Sequence, residues 1–97
     1  MAALKLDNDF SFAIERGQKR VRLIVYKGGV ENVCRKESVK KLGQFIGSDE
    51  DRIFKGRLQL LKTPAGIAVE VKGKIEGVMT MGDFINCLEN AEGEKVF

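Results

Sequence analysis

Ninety-seven residues, 43% hydrophobic and 32% charged, bound the chain to one globular domain over residues 1–97 with a single core. There is no histidine, which removes the usual general base and the commonest metal ligand, and two cysteines with no CxxC motif make neither a zinc site nor a disulfide framework. The net charge of +3 is uneven: residues 1–49 carry ten Lys and Arg against six acids, residues 50–97 seven against eight, so the first half is the one suited to an anionic partner.

The opening segment MAALKLDNDF has neither the basic nor the apolar region of a secretory signal, and no apolar run is long enough to cross a bilayer. These features predict a cytoplasmic protein (nuclear or organellar in a eukaryote) with no membrane partner, its cysteines reduced and half-buried. FSFAIER then alternates, with Phe10, Phe12 and Ile14 on one face, and reads as a half-buried strand. After a turn at Gly17-Gln18, KRVRLIVYK alternates again. Val21, Leu23 and Val25 point inward, and Arg20, Arg22, Ile24 and Tyr26 outward. Gly28-Gly29 supplies the positive φ of a tight hairpin, and VENVCR is a third, shorter strand. The period then changes: Val39, Leu42 and Ile46 form the stripe of an amphipathic helix that starts near Glu37 or Ser38 and stops at Gly47.

The second half repeats the order. IFKGRLQLL places Phe54, Leu58 and Leu60 on one face, Thr63-Pro64-Ala65-Gly66 turns, and IAVEVK sends Ile67, Val69 and Val71 inward. IEGVMT follows the turn at Gly73-Lys74. Thr80-Met81-Gly82-Asp83 fits a capping box opening a helix with Phe84, Leu88 and Ala91 on its buried side. A shift of 45 lays Lys27-Gly28 on Lys72-Gly73, and a shift of 46 lays Val21, Leu23 and Val25 on Ile67, Val69 and Val71. The expected fold is α+β: two βββα repeats, about 9–47 and 52–91, forming one antiparallel sheet with two helices on one face, and a frayed tail at 92–97.

The chemistry is narrow. No phosphate-binding glycine loop is present, and the glycines after strands lead into further strands, so they read as hairpin turns. Glu31 and Glu76 recur at matching positions and are expected to be solvated residues near turns. No catalytic residue, metal or cofactor is predicted, and an enzyme is not expected. The open face is the place for function. Arg20, Arg22 and Tyr26 line its outward row, Arg16 and Lys19 sit at the turn, and Lys27 at the far end. Lys55 and Arg57 on the matching strand extend it. Cations neutralise phosphates while flat side chains stack on unpaired bases, the combination that single-stranded DNA or RNA requires.

KESVKKLGQFIG (36–47), a strand running into a short polar link and a helix, and GRLQLLKTPAGIAVEVKG (56–73), a curved hairpin, resemble the PUR-repeat family and the wider Whirly and positive-cofactor-4 group of single-stranded nucleic-acid binders. The resemblance implies two units packed about a twofold or pseudo-twofold axis, helices on one side and a basic-aromatic sheet surface on the other. This chain is shorter per repeat, shows three strands per unit where the family usually has four, and is less basic in its second unit.

The predicted function is sequence-tolerant binding of single-stranded nucleic acid in transcription, replication or RNA handling. The rival is a protein-interaction module without such affinity, in which Ile24 and Tyr26 meet a partner or a second copy in a homodimer. A sheet docked in a groove of duplex DNA is the third possibility.

Overall fold

Two hairpins set the register of the chain. The computed structural model describes residues 3–93, and the side chains of Glu92 and Gly93 lie outside that description. Strands β1 (Leu4–Lys5), β2 (Phe10–Arg16), β3 (Val21–Lys27) and β4 (Val30–Glu37) precede helix α1 (Val39–Gly47). Strands β5 (Arg52–Ile53), β6 (Leu58–Thr63), β7 (Gly66–Val71) and β8 (Lys74–Met79) precede helix α2 (Met81–Gly93). Gly28-Gly29 joins β3 to β4 with φ of 59° and 83°, and Lys72-Gly73 joins β7 to β8 with 53° and 85°. Both are two-residue turns with positive φ at each position, the geometry whose twist matches the flanking strands.

The turns and the pairing superpose at a shift of 44, not 45 or 46: Gly28 falls on Lys72, Gly29 on Gly73, and Ile24 on Ala68. Each hairpin carries a bulge one turn further on. Val25 pairs Val33 and Tyr26 pairs Glu31, leaving Asn32 extra; Val69 pairs Gly77 and Glu70 pairs Ile75, leaving Glu76 extra. Glu76 therefore corresponds to Asn32 rather than Glu31, and it is not solvated. It is 7% exposed, and Asn32 Oδ1 and Glu76 Oε1 are both buried without a hydrogen-bond partner among the described residues.

The expectation of one sheet built from two βββα units is corrected on two counts. Each unit is ββββα, and the strands form two antiparallel four-stranded sheets, β1-β2-β3-β4 and β5-β6-β7-β8. The additional strands, β1 and β5, are two residues long, too short to carry an alternating pattern. Ile53 belongs to β5 and Leu58 to β6, so IFKGRLQLL is two strands with a turn at Phe54–Arg57, where Phe54 and Gly56 have φ of 79° and 94°.

One hydrophobic core joins the sheets. Phe12, Leu23 and Val25 from the first and Leu58, Leu60, Val69 and Val71 from the second share it with Leu42, Phe45, Phe84 and Leu88 of the helices. The helices cross between units. α2 packs on β2 of the first sheet as well as on β7 of its own, with the Phe84 ring 6.3 Å from Phe12. α1 is held by β6 of the second sheet. There Lys62 Nζ donates to the Phe45 and Ser48 carbonyls, 2.6 Å each, and lies 4.7 Å over the Phe45 ring. These are carbonyls at the end of a helix, where orphan acceptors and the negative end of the dipole favour a cation. Ser38 caps α1 by accepting from Lys41 N, and Thr80 caps α2 by accepting from Asp83 N.

The N-terminal links interlock too. Asp7 N donates to Glu76 O of β8 at 2.8 Å, and Arg35 Nη1 of β4 donates to Lys55 O at 3.3 Å. Both cysteines are free; Cys34 is exposed, unlike the half-buried expectation, and burial with nearby Asp83 pushes the half-buried Cys87 thiol up. Residues 92 and 93 continue α2, and the rest of the expected frayed tail lies outside the described residues. Among the described residues no helix is long and apolar enough to cross a membrane.

Because the core is shared, Phe84→Ala should destabilise both units at once. Emptying an aromatic site costs about 3–5 kcal/mol, and Leu23→Ala should cost about 2–5 kcal/mol. In denaturant titrations followed by circular dichroism, each variant should unfold in one transition at a lower midpoint. Two separated transitions would contradict a shared core.

Candidate nucleic-acid interface

The outward face of the first sheet is built by alternation on β2, β3 and β4. Its three rows are Glu15–Arg22–Lys36, Ala13–Ile24–Cys34 and Ser11–Tyr26–Glu31, each set by strand pairing. Ile24 points away from the core and yet is 0% exposed. The reason is Arg22. Its Nη1 donates to Glu15 Oε1 at 2.9 Å in its own row, and its Nη2 donates to Glu31 Oε1 at 2.7 Å two rows on. The arginine stem therefore lies along the strand over Ile24, as long charged side chains do on apolar surface. Arg22 holds the Glu31 carboxyl below its ordinary range by hydrogen bonding, with a further contribution from Cys34.

This clasp changes the role of two predicted site residues. Arg22 is part of a Glu–Arg–Glu bridge rather than a free cation, and Ile24 is roofed rather than presented. Tyr26 is half-buried at the opposite end of the face. Lys27 is exposed and sets its Nζ 4.4 Å over the Phe10 ring, a cation–π contact within the chain.

The free positive charge gathers at the β2–β3 turn. Gly17 N donates to Arg20 O at 2.8 Å, and a Cβ on Gly17 would sit 2.5 Å from that oxygen, so the turn needs glycine. Around it, Lys19, Arg20, Arg22 and Lys36 line a shallow concavity that contains no carboxylate residue. Arg16 borders it on the side toward Val39. Among the described residues, Arg16, Lys19, Arg20 and Lys36 make no ion pair. Lys36, which the sequence reading left out of the site, is brought in by its pairing with Arg22.

Lys55 and Arg57 do not extend the β3 row. They sit in the β5–β6 link, which lies beside β4, and with Arg35 and Cys34 they line a second, polar groove between the units. Arg35 fixes that link: its guanidinium is 4.5 Å over the Phe54 ring while it bonds the Lys55 carbonyl. β4 thus connects the two basic regions, Lys36 lining the first and Arg35 the second. Among the described residues no group of three or more Cys, Asp or Glu could hold a metal ion.

The chain matches no protein-family model, and no curated protein or solved structure matches it.

The clasp gives a direct expectation. In an NMR titration of the side-chain carboxyls, Glu31 should titrate below the ordinary glutamate range, and Arg22→Ala should return it to that range. A Glu31 midpoint unmoved by Arg22→Ala would show that the contact does not persist in solution.

Proposed function

We propose that this chain is a sequence-tolerant binder of single-stranded DNA or RNA and that the strand enters at the β2–β3 turn. The observation that carries this reading is the concavity of Lys19, Arg20 and Lys36, with Arg16 beside it, free of acid at the end of an outward β-face that carries Tyr26. Phosphate contacts of this kind supply affinity without reading sequence. From Arg20 to Tyr26 the strand runs about 20 Å at ~3.4 Å per residue, room for phosphates at one end and a base against the tyrosine at the other.

Topology supports the same reading. Four strands before each helix is the count usual in the PUR and Whirly group, and two such units packed on one core are in keeping with the paired units that the resemblance implies. Arg22 has a positioning role: it covers Ile24 and keeps Glu15 and Glu31 neutralised beside the path. Lys55 and Arg57 offer a continuation along β4 into the second groove.

Fluorescence anisotropy with labelled oligo-dT, oligo-U and duplex, at two salt concentrations, tests the proposal. Single strands should bind more tightly than duplex. Lys19→Ala, Arg20→Ala and Lys36→Ala should each weaken binding to all sequences and reduce the log–log salt slope by roughly 0.7 per lost phosphate contact. Tyr26→Ala should cost about 1–3 kcal/mol with the slope nearly unchanged, because stacking releases no counterions. A folded protein without affinity for single strands at low salt would instead support the protein-interaction reading.

A further inference from the structure

The shift of 44 makes the two outward faces comparable position by position, and they are chemically opposite. Where the first has Arg22, Glu31, Cys34 and Lys36, the second has Gly66, Ile75, Val78 and Thr80. Strand pairing likewise sets Leu61 opposite Ala68 where Ala13 faces Ile24. Everything that roofs and charges the first face is replaced by small or apolar residues. Ile75 remains 50% exposed and Val78 47%, with fully buried Ala68 of β7 and half-buried Leu61 of β6 beside them. Arg52 and Glu70 are the charged residues at the border, 3.4 Å apart, and Arg52 also bonds Gln59. The patch therefore has an apolar centre, with the Arg52–Glu70 pair at one border and exposed Lys72 and Lys74 at the β7–β8 turn beyond Ile75.

We infer that this face is the interface of a homodimer, sheet against sheet of a second copy about a twofold axis. Two copies of a chain with net charge +3 repel over their basic surfaces, and they meet most easily over an apolar centre such as Ile75 and Val78. A twofold contact requires a self-complementary patch. An apolar centre satisfies that condition, and the Arg52–Glu70 border presents both signs, so each arginine can face the other copy's glutamate. Four strands at ~4.8 Å spacing and about six residues at ~3.4 Å give a footprint of roughly 400 Å² per partner. This is about half the ~800 Å² of a standard stable interface. The dimer should accordingly be a weak one that dissociates on dilution.

The interface is independent of nucleic acid, so its test separates from that of the binding function. Sedimentation equilibrium without ligand, from about 5 to about 500 µM, should take the wild-type chain from monomer toward dimer. Val78→Lys and Ile75→Lys should stay monomeric throughout while keeping the wild-type circular dichroism spectrum and affinity per site for oligo-dT. Val30→Lys, at a residue 70% exposed beside the β3–β4 turn, should dimerise like wild type. A wild-type monomer at the highest concentration would overturn the inference and leave the face to a different protein. Dimerisation of Val78→Lys and Ile75→Lys equal to wild type would overturn it as well.

Discussion

The exchange of helices between the two sheets is the constraint on which the rest of the molecule depends. Neither sheet is covered by its own unit alone: Phe84 of α2 reaches Phe12, and Phe45 of α1 lies against Lys62 of β6. A 97-residue chain has room for one core, and the crossing supplies it by spending both helices on the inner faces. Lys62 is the polar part of that bargain. It occupies an inward position of β6, where its ammonium replaces water for two helix-end carbonyls. The outward faces are left without a helix, and they are where the two units differ.

The two halves keep backbone features in step while side chains diverge. Turn dihedrals, bulges and the buried oxygens of the bulge residues Asn32 and Glu76, unpaired among the described residues, recur. Arg22 and Glu31, by contrast, have Gly66 and Ile75 as counterparts. Backbone register is tied to the common core, so a change there would turn inward residues outward. The outward rows carry no such burden. We read the first face as the one that meets an anionic strand and the second as the one that meets protein.

Much of this was legible in the amino-acid sequence, and what escaped has physical causes. Period two located β2, β3, β6 and β7, and their inward residues, among them Leu23, Val25, Leu58 and Val69, are buried, whereas Val39, Ile46 and Phe54 are only half-buried. β1 and β5 were missed because two residues show no period. The correspondence was off by one or two positions because Lys72 stands where Gly28 does, so matching the Lys-Gly pairs misplaced the turn. Phe45 lies beside the expected helical stripe, yet it is 1% exposed because the partner sheet covers it. For the site, alternation alone placed Arg20 and Arg22 alike in the outward row. It could not show that Arg22 is tied to Glu15 and Glu31 across strands, or that Ile24 disappears beneath it. Those contacts depend on pairing between segments distant in sequence.

The most direct test of a divided pair of faces is an NMR titration of the labelled protein with oligo-dT, followed amide by amide at a protein concentration where it is monomeric. We expect shifts concentrated at residues 16–22, at Tyr26 and at Lys36, with Leu61, Ala68, Ile75 and Val78 unmoved. Shifts centred on β6–β8, or on Lys40 and Lys41 of α1 with the β2–β3 turn silent, would contradict the assignment of the first face to the strand.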